Sequence, residues 1–243
     1  VLRLLEKLTA PTKALIGPWG HTYPNLAQPL GLDWAYEEVR WWRHWLMDEA
    51  TGIMDEPRLR CFMPSATSAE EQGAALPGRW IAEDAWPART RDHSYHLNTG
   101  ALGEKPVRGA PIIHRDKGVV GTTKPEWLDR PPIEQSHDDQ LSTSFDSDPL
   151  ADNLEILGAP KLRLIFTSDA PVANLVLRLN DVRPDGKSWL VTWGVLNLTR
   201  RTSMSEPSQL EEGRTYTIDM DLRPIAHRFS SGSRIRLSLS EGL

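Results

Sequence analysis

His21 is the residue best suited, by its type and its neighbours, to carry chemistry. It ends the run Gly17-Pro18-Trp19-Gly20-His21, which follows the short apolar stretch Lys13-Ala14-Leu15-Ile16. An imidazole titrates near neutral pH, so it can take a proton from a hydroxyl and return it to a leaving group. Such a base works from a loop beside a nucleophilic serine, with a carboxylate holding its tautomer. The partner groups are not evident: no Gly-x-Ser-x-Gly elbow occurs in the 243 residues. Ser65, Ser68, Ser142 and Ser144 sit on no strand-turn-helix elbow and read as turn residues.

The remaining candidates are weaker. His93 and His96 are three residues apart, so on a strand they point to opposite faces and cannot share one metal ion. His137-Asp138-Asp139 follows Pro131-Pro132 and reads as a solvated loop. Asp138, Asp139, Asp146, Asp148 and Asp152 make an acidic stretch, but without EF-hand spacing. Cys61 is the one cysteine, which leaves no internal disulfide and no cysteine pair for zinc. His44, His114 and His227 receive no role. No metal and no cofactor is expected.

The elements that must position His21 change in texture along the chain. Val1, Leu4, Leu5 and Leu8 have helical spacing, ended by Pro11. Residues 13–16 suit a short buried strand. From Asp33 to Glu49 the pattern is helical: Asp33 caps, Glu37 and Glu38 lie early, and Leu32, Ala35, Val39, Trp42 and Leu46 recur at three- and four-residue steps. Trp34, Trp41 and Trp45 widen that stripe, which should pack on a sheet, and Gly52 should end the helix. After Pro57 the pattern is that of a β protein. Short strands are expected over 58–64, 79–81 and 94–97. A long irregular stretch follows, over 100–141. Two-residue alternation then appears in Leu162/Leu164/Phe166, Leu175/Leu177/Leu179, Trp189/Val191/Trp193/Val195, Tyr216/Ile218/Met220/Leu222 and Ile235/Leu237/Leu239. Arg183-Pro184-Asp185-Gly186-Lys187 is a hairpin turn. Half-buried strands in this number point to a two-sheet sandwich of jelly-roll type.

Several of these segments, in this order, resemble the cocaine-esterase-like (CocE/NonD) serine hydrolases, which are related to the Xaa-Pro dipeptidyl-peptidases. LIGPWGH at 15–21 and the Trp-rich EVRWWRHWL at 38–46 resemble the end of that family's catalytic domain. Residues 142–201 and GSRIRLSLS at 232–240 resemble its C-terminal β-sandwich. The resemblance implies residues 1–56 as the last strand and helix of an α/β-hydrolase domain, and 57–243 as a galactose-binding-like jelly roll. It implies His21 as the triad base. The nucleophile, in a Gly-x-Ser-Tyr-x-Gly elbow, and the triad acid would both precede Val1. The chain starts Val-Leu-Arg and reads as a piece of a longer polypeptide, inactive alone, whose partners are an upstream catalytic domain and a small ester or amide substrate. A homo-oligomer is left open.

Composition narrows the alternatives. The formal net charge is −5, with 28 Lys+Arg against 33 Asp+Glu and no basic stretch, which argues against nucleic acid. No apolar run approaches the roughly 18 residues that cross a bilayer, so no membrane partner is expected. The single cysteine suits a cytoplasmic setting. Ten tryptophans against four Tyr and four Phe raise a second reading, a carbohydrate-binding module using Trp80, Trp86 and Trp127 as stacking faces. A third is a purely structural domain, with Trp34, Trp41, Trp42 and Trp45 forming an apolar docking patch.

Overall fold

The computed structural model describes residues 1–19, 22–28, 30–65, 77–88, 90–118, 120 and 134–242. Helix α1 (Leu2–Lys7) buries Leu2 and Leu5, the two apolar positions one turn apart. Strand β1 (Ala14–Ile16) follows, and then the 14-residue helix α2 (Trp34–Met47). The Asp33 side chain caps α2 by accepting from the Tyr36 amide at 3.1 Å. The helix ends before Gly52: Asp48 itself turns left-handed, with φ 53°. Aspartate tolerates that conformation better than most residues.

Strands β2 (Leu59–Pro64) and β3 (Gly78–Glu83) form a sheet with β1, in the order β1-β2-β3. The β1–β2 pair is parallel, with Ala14 opposite Leu59 and Ile16 opposite Cys61. A parallel pair needs a crossover, and α2 lies within that crossover. Residues 56 and 57 therefore fall inside a strand-helix-strand unit. A small core joins its parts: Leu2, Leu5, Ala14, Leu59 and Cys61, with Ile16, Ile81 and Trp86 packed on them.

The rest of the chain is mainly β, in several sheets. Strands β4 (His96–Asn98) and β5 (Ala101–Gly103) are followed by the short helix α3 (Ser136–Leu141) and by β6 (Thr143–Asp146). Next come β7 (Leu154–Gly158), β8 (Lys161–Phe166), β9 (Asn174–Val182), β10 (Ser188–Asn197), β11 (Tyr216–Asp221), β12 (Ile225–Phe229) and β13 (Arg234–Ser240). Among the described residues β10-β9-β13-β6-β5-β4 make one sheet, and β11-β8 and β12-β7 make two pairs. The main core lies between them. Phe145, Leu175, Leu177, Ile235, Leu237 and Leu239 from the large sheet meet Leu162, Tyr216, Ile218, Met220 and Phe229 from the pairs. This is the β-sandwich that the alternation predicts.

Two local expectations need correction. The run Trp189/Val191/Trp193/Val195 does not share one face. The register against β9 slips at Val191, so Trp189 faces with Asp181 while Trp193 faces with Arg178. A bulge adds one residue and turns the following side chains over. Gly194 thereby comes to the inner side, where a Cβ would lie 2.8 Å from Met220 Cε. The second correction concerns His137-Asp138-Asp139, which is not a solvated loop. It lies in α3, and both aspartates are buried.

Candidate functional site

The loop that leaves β1 is built around Trp19. Its indole Nε1 donates to the Leu30 carbonyl at 2.9 Å, which ties the start of the loop to its end. The indole also lies back over Gly17: a Cβ there would stand 2.4 Å from Trp19 Cε2 and Cζ2. The outer face of the ring meets Trp80 of β3, with centroids 6.1 Å apart and planes inclined at 42°. Trp80 in turn stands edge-on to Phe62 of β2 at 5.7 Å. His21, the one catalytic residue expected from the sequence, lies outside the described residues, two positions after Trp19.

Helix α2 turns a charged side toward the strands. Glu37 accepts from Arg40 at 3.3 Å and from Arg60 of β2 at 3.1 Å. Arg60 also reaches Glu56 at 3.3 Å, and Arg40 pairs with Glu56. No residue of α2 is buried. Val39, Trp42, Trp45 and Leu46 are 51%, 54%, 42% and 75% exposed. The Trp stripe expected to pack on a sheet has, among the described residues, no sheet to pack on. Trp34 and Trp41 are half-buried, so Trp42 and Trp45 carry most of the open aromatic surface.

A polar network that sequence reasoning missed lies under α3. Asp139 accepts four hydrogen bonds: Oδ1 from Asn180 at 2.9 Å and Ser238 at 2.7 Å, Oδ2 from Ser188 at 2.6 Å and Arg236 at 3.1 Å. Arg236 also grips Asp146 with two bonds, at 2.6 and 2.7 Å. These acidic partners push its guanidinium pKa up, beginning with the Asp146 bonds. Arg178 is 1% exposed and donates to Gln135 at 2.8 Å and to Ser142. Burial pulls its pKa down, against the pull of Asp139 and Asp138. The available signal was the polar half of two alternating strands, Arg178/Asn180 and Arg236/Ser238/Ser240, set against the Asp138-Asp139 pair. Ser142 and Ser144 belong to this network: Ser142 donates to the Asp138 carbonyl at 2.7 Å and Ser144 to the Asp139 carbonyl at 3.2 Å.

The other sequence candidates do not converge. His93 lies outside β4 with its ring 4.6 Å from Tyr95, and His96 begins β4. His227 faces Asp181 at 3.3 Å in the interior and stands edge-on to Phe229. His114 bridges Thr143 at 2.9 Å and Glu241 at 3.3 Å. Among the described residues no three His, Cys, Asp or Glu side chains gather with metal-ligand spacing, and no helix is long and apolar enough to cross a membrane. Of the tryptophans offered for carbohydrate stacking, Trp80 is occupied by Trp19 and Phe62, and Trp86 packs on the small core. Trp127 and Ser68 lie outside the described residues.

Comparison with known proteins places this arrangement. The cocaine esterase of Rhodococcus sp. (strain MB1 Bresler) is 27% identical over 96% of this chain and 44% of its own length. A crystal structure of an aminopeptidase from a marine sediment Thaumarchaeota archaeon aligns with TM-score 0.69 at 20% identity, covering 99% of this chain and 43% of that one. An α-amino acid ester hydrolase aligns with TM-score 0.68 at 20% identity, over 95% and 42%. The chain thus spans less than half the length of the relatives it matches. Residues 42–241 match the family described as the X-Pro dipeptidyl-peptidase C-terminal non-catalytic domain. With most of its length matched, this chain belongs to that family, as the C-terminal part of a CocE/NonD-like protein.

Proposed function

We propose that this chain is the C-terminal portion of a serine hydrolase acting on ester or amide bonds, Xaa-Pro peptide bonds among them. Residues 1–56 close its α/β-hydrolase domain and residues 57–243 form a jelly-roll sandwich that shapes the surroundings of the active site, the two being joined through the parallel β1–β2 pair and its small core. One observation carries the reading: the short strand β1 is followed by the Gly-Pro-Trp-Gly-His sequence and then by the 14-residue helix α2. That is the order of strand, histidine loop and helix found at the end of an α/β-hydrolase sheet. The second edge of β1 carries no strand among the described residues. Together with the uncovered face of α2, it offers the upstream parallel sheet a place to continue.

In this reading His21 is general base and then general acid. Its imidazole takes the proton of an upstream serine hydroxyl as the oxygen attacks the acyl carbon, and passes it to the departing alcohol or amine. An upstream carboxylate holds the imidazole in the tautomer that can accept. The chain itself carries no Gly-x-Ser-x-Gly elbow, so alone it does not turn over. A reducing, cytoplasmic setting suits Cys61, which is buried with its thiol pKa pushed up to about 11.

The deciding experiment assays p-nitrophenyl acetate and an Xaa-Pro anilide with the 243-residue chain and with the polypeptide extended through the upstream elbow. Hydrolysis by the extended form, lost in His21→Ala and absent from the short chain, is the expected result. A rate in the short chain that a serine-directed phosphonate abolishes overturns it.

A further inference from the structure

We infer that Thr143 is an acyl-acceptor site, whose hydroxyl, activated by His114 and Glu241, takes the acyl group of a small activated ester. The inference does not rest on the hydrolase reading. Three segments far apart in sequence build the site. Thr143 opens β6, two residues after α3 ends, and lies opposite Leu239 of β13. Glu241 comes two residues after that partner, so its carboxylate reaches the same end of the sheet. His114 arrives on the irregular segment that follows β5, where residues 104–118 are all exposed.

The distances form a relay. His114 Nδ1 lies 2.9 Å from Thr143 Oγ1, and His114 Nε2 lies 3.3 Å from Glu241 Oε2. A carboxylate only accepts, so Nε2 carries the ring proton. Nδ1 then turns its lone pair to the Thr143 hydroxyl, which donates to it. Glu241 is held in turn, its Oε1 accepting from the Lys117 and Gly118 amides at 3.2 and 3.1 Å. Its pKa lies below the ordinary value, so it stays a carboxylate at neutral pH. Nucleophile, base and orienting acid thus stand in order within hydrogen-bond reach, the arrangement that activates a hydroxyl. Thr143 is half-buried, and the His114 and Glu241 side chains are 32% and 17% exposed, so a small donor meets the site from solvent.

In the reaction the Thr143 oxygen attacks the acyl carbon while its proton passes to His114 Nδ1. The leaving alcohol departs with that proton, and an ester on Thr143 remains. The Lys117 and Gly118 amides are committed to Glu241 and do not serve the oxyanion. The acyl group is therefore not passed on rapidly to water. Thr143 is acylated once and does not turn over.

The test incubates the 243-residue chain with p-nitrophenyl acetate and locates acetyl groups by peptide mass spectrometry. The expected result is a single acetyl group on Thr143, gained about 100-fold faster in the native chain than in urea. Thr143→Val removes the hydroxyl and abolishes the label, while Thr143→Ser keeps it. His114→Ala slows labelling by about 100-fold. Glu241→Gln slows it by at least about tenfold, because an amide can donate to Nε2 and leave the proton on Nδ1. Unchanged amide exchange at Lys117 and Gly118 in His114→Ala separates loss of the base from loss of the fold, and the comparison of native with unfolded wild type needs no variant. Equal labelling of Thr143 in the native and unfolded wild type, a wild-type rate in His114→Ala, or acetyl groups on lysines only, overturns the inference. The three residues would then be a clasp that holds the 104–118 segment to the sheet. Neither outcome bears on the hydrolase reading, which needs the upstream serine.

Discussion

Asp139 in α3 and Arg236 in β13 meet at 3.1 Å across 97 residues of sequence, with Asp139 almost wholly buried. The pair joins the helix to the centre of the large sheet, since β13 lies between β9 and β6. Removing one partner of a buried charged pair costs more than the pair contributes, because the survivor is left without its solvent. Here the survivor keeps Asp146, but Asn180, Ser188 and Ser238 lose their shared acceptor. Asp139→Ala should destabilise the chain by about 3 kcal/mol, and Asp139→Asn by less, since an amide oxygen still accepts. Urea unfolding of both variants measures this. A shift below about 0.5 kcal/mol for the alanine would mean that the network is solvated after all.

That network shows where reading by periodicity stops. Alternation at Leu175/Leu177/Leu179 and Ile235/Leu237/Leu239 states which residues share a face, and those residues do line the core. It states nothing about what covers the other face. Arg178, Asn180 and Ser238 have the signature of a wet surface, yet they are buried under α3. The covering element comes from a Pro-rich, weakly patterned stretch, and its two aspartates are satisfied by residues about 40 to 100 positions away. The bulge at Val191 hides in the same way, because Trp and Val alternate through it without interruption. Asp33 as the cap, α2 and the first strand were legible because each depends on neighbours in sequence. The Trp19–Trp80 contact was not, since it depends on a sheet register. His21 was legible through its loop motif and stands outside the described residues.

Cys61 should be chemically silent in the folded chain. Burial, with a smaller push from Glu83, raises its thiol from 9.0 to about 11, and the thiolate is the reactive form. Labelling with a disulfide reagent at pH 8 should be at least about 100-fold slower in the native chain than in urea. The sign also sets a stability trend. A raised folded pKa means that the contribution is complete below pH 9.0 and is lost as pH rises through the folded value. Rapid native labelling would show that β2 opens readily.

Glu241 should anchor the irregular segment before residue 120 in a pH-dependent way. Burial pushes its carboxyl up. The amides of Lys117 and Gly118, which donate to it at 3.2 and 3.1 Å, work against burial, and the pKa lies below its ordinary 4.5. A depressed folded pKa means that the anchor is fully present above pH 4.5 and is lost as pH falls through the lower, folded value. Amide exchange at Lys117 and Gly118, corrected for intrinsic rates, should stay protected at pH 5 and lose protection as pH drops further. Glu241→Ala should abolish the protection already at pH 7. Protection that persists in that variant would assign the anchoring to His114 and Thr143 instead.

The open face of α2 gives the sharpest test of how the chain sits in a larger protein. Its charged side is already engaged by Arg60 and Glu56, while Trp42, Trp45 and Leu46 are exposed. In a soluble monomer, aromatic area of that kind marks a surface meant for contact. Replacing Trp42 and Trp45 with Ser should lower the unfolding free energy of the 243-residue chain by no more than about 1 kcal/mol, because Trp42 and Trp45 stay 54% and 42% exposed in the fold. The same change should sharply reduce binding of a hydrophobic fluorescent dye. In the extended polypeptide it should do the opposite, lowering the melting temperature by removing the rings from an interface and leaving apolar neighbours facing water. Equal effects in both forms would mean that α2 folds back on its own sandwich. No effect in either would mean that the upstream domain docks elsewhere, by the free edge of β1 alone.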